Sequence, residues 1–383
     1  MYIVFDARHI KNKYSGLGRL TFTILFELIK FDKFDKLEIL LDSSTDYKDN
    51  EIVGLISNHI SNKVKFIYID APLFNLIKNL KVTKYVNKNK PDIYFYPHFD
   101  LPLGINIRTI FMVHDVFSKK NFYHEHDKDR IKDFFYSLKK NRIIKNFVFT
   151  NIIKHNISKR NVKCITISNA TRKDLLEFVN EKFSNKIKVV YLDSFDDLFL
   201  NNESSKDKEE NIINRRQYLL YVGDRRPHKN LKKMIDIFNE ISKENSDLYF
   251  YIVGNKEKIY FDYNHYIKEM NNDKIIQISS VSDRLLEKLY INCNAFFFLS
   301  KHEGFGLPLL EAARFNKKII TSNRSSLIEI APDNSLFINP EININDAVKE
   351  IINYIKEDKI IDNSTYLSKF SWKKTMKEIF YNE

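Results

Sequence analysis

The sequence contains little cysteine and no long apolar run, and both absences exclude whole classes of protein. Only two of its 383 residues are cysteines, Cys164 and Cys293, and they lie far apart without metal-ligand spacing. A disulfide-rich secreted fold is therefore excluded, and the composition suits a reducing cytoplasm. No run approaches the roughly 18 apolar residues of a transmembrane helix, and the chain starts directly as a strand. We therefore expect neither a membrane span nor a signal peptide.

Patterns typical of metal sites are also missing. No Asp-x-Asp stands at the end of a predicted strand, and no His/Cys cluster occurs at zinc-ligand spacing. We therefore expect no metal and no tightly bound cofactor.

The chain is long enough for two globular domains, and its charge is unevenly spread. Hydrophobic residues make up 43% of the sequence, and the net charge is +12. Residues 119–163 alone hold 13 Lys/Arg against 4 Asp/Glu, with aromatic and aliphatic residues interleaved. This segment favours an anionic membrane face, and hence a cytoplasmic protein peripheral to the inner face of the cell membrane. A solvated helix is the alternative, and nucleic acid is not expected as a partner.

Short apolar runs alternate with amphipathic segments along most of the chain. This alternation predicts an α/β protein with parallel sheets and ligands at the carboxyl ends of the strands. The polar stretch 201–214 has no periodicity and predicts a linker between a first domain at 1–200 and a second at 215–365.

The most informative stretch is Phe296–Ile320. Phe296–Leu299 predicts a buried strand, Ser300–Gly306 is a polar loop, and Leu307 begins an apolar-periodic helix with Pro308 in its first turn. Such a turn directs backbone N–H groups and the positive helix end beyond the strand, which favours a phosphate.

Two carboxylates flank this turn. Glu303 lies in the loop, where it reaches a hydroxyl above the phosphate, and Glu311 lies in the helix, where it reaches a ribose. The alternative is an ordinary strand-to-helix turn with surface glutamates.

A second polar loop, Gly223–Asn230, follows the predicted strand Tyr218–Val222. Gly223 permits close backbone approach, and Arg225 and Lys229 supply two cations that suit a diphosphate. An isolated run of this kind is usually a basic surface cluster, but its place at the end of a strand favours an anion site. Near the start of the chain, Gly16 and Gly18 open a helix after the first strand, a weaker signal of the same type.

These motifs resemble the retaining glycosyltransferases of family 4, closest to the mannosyltransferase B-like subgroup. HEGFGLPLLEA resembles the family's E-x7-E signature, and GDRRPHKN resembles its G-x-R-x-P-x-K-N motif. The resemblance is strong at 218–340 and slight in much of the first domain. Two departures are Asn316, where the family usually has Gly, and His228, where it usually has Arg. A helix C-terminus accepts Asn in the left-handed conformation, and the histidine could change the pH sensitivity.

The resemblance implies the GT-B fold, with two Rossmann-like doubly wound domains facing a central cleft. It also implies that a segment at about 366–383 packs back on the first domain. The implied reaction is metal-independent transfer, with retention, of mannose or a similar hexose from a GDP- or UDP-linked donor. The acceptor would be a hydroxyl of a glycan or lipid-linked molecule in surface polysaccharide or lipopolysaccharide biosynthesis.

The resemblance also implies roles for individual residues. The catalytic set is Arg225 and Lys229 on the leaving diphosphate, Glu303 on the sugar hydroxyls, and His114 near the donor sugar. Donor binding is assigned to Gly16, Gly18, Gly223, Val281, Gly304, Phe305, Gly306, Leu307 and Glu311, and acceptor contact to Arg19 and Asp115. A catalytically silent nucleotide-sugar binding or scaffold protein, a sugar-nucleotide epimerase and a phosphorylase are the alternatives.

Overall fold

The chain forms two compact units. The computed structural model describes residues 1–11, 16–44, 62–73, 75–116, 150–194, 217–254, 261–279 and 281–381. Among them, the first unit holds the residues up to Leu192 and those from Ser371 onward, and the second holds Asp193–Phe370. The predicted linker, 201–214, lies outside the described residues, as does most of the basic segment 119–163. Residues 366–370, predicted to return to the first domain, belong to the second unit.

The first unit is built on a seven-stranded parallel sheet. Its order is β3-β2-β1-β4-β5-β6-β7. The strands are β1 (Tyr2–Asp6), β2 (Lys36–Asp42), β3 (Val64–Ile69), β4 (Ile93–Tyr96), β5 (Thr109–Val113), β6 (Val162–Thr166) and β7 (Ile187–Val189). All residues of β4 and β5 are buried, as expected for strands covered on both faces.

Up to Leu192, the described ranges include three α-helices with complete bounds beside this sheet, and polar caps fix where two of them begin. They are α1 (Gly16–Phe31), α2 (Leu76–Asn89) and α3 (Asn169–Val179). The sequence predicts α2 from Leu73, but the Asn75 side chain accepts a hydrogen bond from Lys78 N and starts the helix later. Ser168 caps α3 in the same way. Residues 150–158 are also helical.

The second unit is built on a six-stranded parallel sheet. Its order is β10-β9-β8-β11-β12-β13. The strands are β8 (Gln217–Val222), β9 (Leu248–Val253), β10 (Ile275–Ile278), β11 (Ala295–Phe298), β12 (Lys318–Ser322) and β13 (Leu336–Ile338). The predicted strand at Phe296–Leu299 is confirmed one residue earlier as β11, where all three phenylalanines are fully buried.

Helices surround this second sheet. They are α4 (Leu231–Glu244), α5 (Tyr263–Glu269), α6 (Asp283–Asn292), α7 (Leu307–Arg314), α8 (Leu327–Ile330), α9 (Ile344–Lys356) and α10 (Ser364–Leu367). Leu231, Ile235 and Phe238 recur at helical spacing and are fully buried, so α4 presents one apolar face to the core. No helix in the described part of the chain has the length and apolar character that a membrane crossing requires.

The segment after Phe370 completes the first unit. It consists of α11 (Trp372–Met376) and a π-helical turn at Lys377–Tyr381. Thr375 donates its hydroxyl hydrogen to Tyr191 O at 2.7 Å, and the Phe380 ring lies 5.1 Å from that of Phe95 on β4. Burial of Phe380 ties this segment to the sheet.

Each sheet has one place where the strand order reverses. In the first sheet it lies between β1 and β4, and in the second between β8 and β11. Connections leave such a pair in opposite directions, so a crevice opens at the carboxyl ends of the two strands. These two switch points are where the polar residues of interest collect.

Candidate functional site

The loops after β8 and β9 approach so closely that one of their positions requires glycine. Gly254 follows β9 with a φ of +147°, and a Cβ placed there would lie 1.9 Å from the carbonyl oxygen of Gly223. Gly223 begins the loop after β8, so the loops after β8 and β9 lie in direct backbone contact. A single 3₁₀ turn at Pro227–Lys229 then leads into α4.

Arg225 in this loop is buried and only partly hydrogen-bonded. Its side chain is buried beside Tyr263, and Nη1 donates to Gln277 Oε1 at 2.6 Å. Nε and Nη2 are shielded from solvent and have no hydrogen-bond partner among the described residues. Burial lowers the pKa of Arg225 from its ordinary value. A buried guanidinium with unused N–H groups is a binding group for an anion.

Lys229 joins this loop to the second loop of the switch point. Its Nζ atom lies 2.8 Å and 2.9 Å from the two carboxylate oxygens of Glu303, which follows β11. Both side chains are largely buried, at 12% exposure each. The backbones also meet, because Lys301 N donates to His228 O at 2.7 Å. The structure therefore brings together two of the residues that the sequence assigned to catalysis.

Two serines that the sequence analysis did not assign to the site hold the Glu303 loop in place. Glu303 N donates to Ser325 Oγ at 2.8 Å. The Ser326 hydroxyl lies 2.9 Å from Glu303 O and 2.8 Å from Phe305 O. Both serines follow β12, the neighbour of β11, and that position is the signal that could have identified them.

Tyr221 links the cations and carboxylates electrostatically. Burial raises its pKa well above the ordinary value, Asp224 and Glu303 raise it further, and Arg225 acts in the opposite direction. Charges shift a pKa in this way when they lie close to the titrating group. Arg225 and the Lys229–Glu303 pair therefore lie around one buried hydroxyl.

Asp224 and His228 have strongly lowered pKa values. Burial opposes ionisation of Asp224, but Lys229 and Arg226 outweigh it and hold the pKa at about 2. Burial, followed by Lys229 and Arg226, lowers the pKa of His228 to about 2. The imidazole is therefore neutral near pH 7, and its replacement of the family's arginine leaves this loop with one cation fewer.

The predicted glycine turn and helix are confirmed. Gly306 caps α7 with a φ of +109°, which a residue with a Cβ rarely adopts, and a Cβ there would lie 2.9 Å from Leu327 Cδ2. Pro308 lies in the first turn of α7. At the other end, Asn316 has a φ of +51°, the left-handed conformation predicted for it.

Glu311 lies farther into α7 and has a different environment. Its carboxylate is buried and accepts a hydrogen bond at 2.7 Å from the hydroxyl of Tyr290 on α6. Its assignment to a ribose stays a prediction.

The other predicted donor residues lie at several places. In the second unit, Phe305 is buried with its ring 6.3 Å from that of Phe370, while Gly304, Leu307 and Val281 are partly exposed. In the first unit, Gly16 and Gly18 form the first turn of α1, with Arg19 directly after them.

His114 lies at the carboxyl edge of the first sheet, directly after β5. Its Nε2 donates to Pro97 O at 2.6 Å, and its shielded Nδ1 has no partner within the described ranges. Because a carbonyl only accepts, Nε2 carries the proton and Nδ1 is an unused acceptor. Burial lowers the pKa of His114 to about 4. Asp115 beside it is exposed.

His9, His98 and Asp100 form a cluster of metal-type ligands near this position. The expectation that the chain binds no metal stays a prediction. One ligand atom from each of the three lies within 4.8 Å of the other two. His9 is far in sequence from His98 and Asp100, and the pairing of β1 with β4 brings them together. A search for close spacing therefore missed them. Their positions after the two strands of the switch point were the usable signal.

Comparisons with known proteins agree with the fold. Residues 202–369 match the family described as Glycosyl transferases group 1. The chain is 28% identical over 169 residues to the serotype-specific mannosyltransferase WbdA of Escherichia coli, covering 43% of this chain but only 20% of that relative. It is 23% identical over 391 residues to the Escherichia coli O-antigen chain mannosyltransferase B, covering 97% and 96%.

Solved structures show the same architecture. Anabaena HepE in complex with UDP-glucose aligns with a TM-score of 0.67 at 16% identity, covering 99% of this chain and 98% of that one. Two parallel-sheet units, the Gly306 turn with its flanking glutamates and the match over residues 202–369 lead to one conclusion: the chain has the GT-B fold and carries a Glycosyl transferases group 1 domain, similar to GT4-like mannosyltransferases.

Proposed function

We propose that this enzyme transfers mannose or a similar hexose from a GDP- or UDP-linked sugar to a hydroxyl of a glycan or lipid-linked acceptor. The reaction would proceed with retention and without a metal at the donor site, in surface polysaccharide or lipopolysaccharide biosynthesis. The observation that carries the proposal is the buried Arg225 with two unused N–H positions beside the Lys229–Glu303 pair. The names of the mannosyltransferase relatives and the nucleotide sugar in HepE support the substrate class.

The donor diphosphate would bind at the switch point of the second unit. Arg225 would donate its unused N–H groups to diphosphate oxygens, and Lys229 would add a second positive charge. Both charges would stabilise the leaving group as the bond to the sugar breaks. The Gly306 turn would contribute the positive end of α7.

Glu303 would position the sugar. Its carboxylate already accepts hydrogen bonds from Lys229, and its backbone is fixed by Ser325 and Ser326. The carboxylate would accept from sugar hydroxyls while it keeps Lys229 oriented.

The first unit would contribute acceptor groups for hydroxyls. His114 Nδ1 is an acceptor with no partner in the described part of the chain, so it would bind a sugar hydroxyl. Arg19 and Asp115 would contact the acceptor molecule.

Retention would follow from same-face substitution. The described site presents no serine, cysteine or aspartate paired with a base as a nucleophile. The departing phosphate would therefore assist in removing the proton from the acceptor hydroxyl.

The basic segment 119–163 would bind an anionic membrane face, close to lipid-linked acceptors. That proposal rests on its charge and its interleaved apolar residues.

The test is a donor assay in EDTA. The full chain is incubated with GDP-mannose, UDP-glucose or other nucleotide sugars and a candidate acceptor, and both nucleotide release and the anomeric configuration of the product are measured. We expect release with retention, and we expect Glu303→Gln to lower kcat/KM by about 10²-fold. Glu341→Gln is the matched control, because this exposed glutamate pairs with Lys301 outside the donor residues.

Three results would contradict parts of the proposal. Binding of every donor without release would indicate a nucleotide-sugar binding protein. Loss of turnover in EDTA that Mg²⁺ or Mn²⁺ restores would refute the metal-free donor site. Full activity of Glu303→Gln would remove Glu303 from catalysis.

A further inference from the structure

Three metal-type ligands meet at the switch point of the first unit. His9 follows β1, and His98 and Asp100 follow β4, which pairs with β1. His98 Nδ1 lies 2.5 Å from Asp100 Oδ1, and His9 Nε2 lies 4.0 Å from the same oxygen. For bonds of about 2.1 Å, tetrahedral zinc ligands lie about 3.4 Å apart. The observed spacings bracket that value, so small side-chain rotations suffice to enclose one ion.

In the described chain, the buried His9 imidazole makes a weak hydrogen-bond contact through Nε2. His9 is 6% exposed, and its ring centroid lies 5.0 Å from that of His98. The hydrogen-bond contact of its Nε2 is a long one, 3.4 Å to the Tyr96 hydroxyl. Buried nitrogens normally have a closer partner. This nitrogen is therefore available as a ligand.

Tyr96 provides the outer support that metal ligands require. Its buried hydroxyl donates to Asp100 Oδ1 at 2.9 Å, which orients the carboxylate toward the histidines. Hydrogen bonds of this kind fix ligand orientation at metal sites and change metal affinity when they are removed.

We propose that His9, His98 and Asp100 bind a divalent transition-metal ion of the zinc class. Two imidazoles and one carboxylate are ligands that Zn²⁺ and Co²⁺ accept, whereas Mg²⁺ and Ca²⁺ prefer oxygen. Three protein ligands leave a fourth position open to water or another oxygen ligand.

This site uses none of the residues proposed to bind the donor. It does adjoin His114, whose ring centroid lies 6.4 Å from that of His98. The ion would join the loops after β1 and β4. Metal binding at this site can therefore be measured independently of donor turnover.

The experiment measures metal directly. The full chain is stripped with a chelator, loaded with Zn²⁺, desalted and analysed by mass spectrometry for zinc per chain. A parallel sample loaded with Co²⁺ is examined for visible d–d absorption. We expect one zinc per chain and cobalt bands of tetrahedral intensity in the wild type. We expect neither in His98→Ala.

Two further variants separate this site from adventitious binding. Tyr96→Phe keeps the three ligands and should weaken zinc affinity by about 10- to 100-fold. His265→Ala should leave zinc content unchanged, because the exposed His265–Glu269 pair, 3.1 Å apart, is a surface contact of another unit. Circular dichroism in chelator tests whether each variant is folded. If His98→Ala is unfolded, Tyr96→Phe provides the test of the site instead.

Two outcomes would overturn the proposal. One is a wild type that retains no zinc and shows no cobalt bands. The other is zinc retained equally by His98→Ala and by Tyr96→Phe, because the ion would then be bound elsewhere.

Discussion

Each of the two units buries an arginine near its switch point, and the two guanidinium groups differ in how many of their N–H groups are hydrogen-bonded. Arg8, 1% exposed, donates from Nε and Nη2 to Asp6 at 2.8 Å each, and from Nη1 to Ala71 O at 2.7 Å and Asn79 Oδ1 at 2.6 Å. Arg225 has one such bond, to Gln277, while Nε and Nη2 have none in the described chain.

This difference separates structure from binding. A buried ion pair with every group satisfied stabilises the fold, because removal of one partner leaves an uncompensated charge. A buried cation with unused donors costs stability and is kept for a ligand. Arg8 therefore belongs to the framework of the first unit, and Arg225 belongs to the chemistry of the second.

The largest expected effect is on stability, in Arg8→Met. Loss of the guanidinium leaves the buried carboxylate of Asp6 without its paired charge; of its donors in the described chain, the Tyr94 hydroxyl and the backbone N–H of residue 8 remain. The free energy of unfolding of the first unit should therefore fall by about 3–5 kcal/mol. Fluorescence of Trp372, the single tryptophan, reports unfolding of this unit in urea. Arg8→Met with Asp6→Asn should recover part of the loss. A change below about 1 kcal/mol would erase the contrast between the arginines.

Arg225→Met should show the reverse pattern. Turnover should fall by about 10²- to 10³-fold, because a donor to the leaving group is lost. The free energy of unfolding should stay the same or rise. Arg226→Met is the matched control, since Arg226 is half exposed and pairs with Asp224 at 2.6 Å. Near wild-type nucleotide release in Arg225→Met would show that the unused N–H groups do not serve the donor.

A smaller expected effect is the dependence of the first unit's stability on pH, which arises from His114. The folded pKa of His114 is about 4, below its ordinary value of 6.5, so on acidification the unfolded state binds a proton before the folded state does. Stability is therefore full above pH 6.5 and falls as the pH drops toward 4. From pH 6.5 to 5 the loss from this group should approach about 2 kcal/mol, at up to 1.4 kcal/mol per pH unit.

The measurement is urea unfolding followed by Trp372 fluorescence at several pH values in chelator. His114→Asn should reduce the slope of the unfolding free energy against pH, by an amount equivalent to at most one proton. An unchanged slope would show that His114 is not the titrating group. The window stays above the ordinary carboxylate range, so Asp224 and similar groups do not contribute.

Backbone features were predictable from sequence where local chemistry determines them. The left-handed Asn316 follows from its place at a helix C-terminus, and the apolar runs at 64–69, 93–96 and 109–113 predict the bounds of β3, β4 and β5. The start of α2 shifted because the Asn75 cap was not recognised. β6 begins at Val162, two residues before the apolar run that starts at Cys164, because the polar Lys163 interrupts the apolar pattern.

Side-chain partnerships were less predictable, because they depend on strand pairing. The motifs assigned Lys229 and Glu303 to the same ligand but did not predict their direct contact. It assigned Glu311 to a ribose and did not foresee its bond to Tyr290. The His9, His98 and Asp100 cluster needed the order of the first sheet, which places β1 beside β4.

The return of residues 371–381 to the first unit means that this unit is not contiguous in the gene. A fragment ending at Leu192 would lack α11 and leave an apolar groove where Met376, Ile379 and Phe380 pack. Anyone who wishes to study that unit in isolation must therefore supply the missing piece, by a direct covalent fusion or as a separate peptide, before the isolated unit is expected to behave as it does in the intact enzyme.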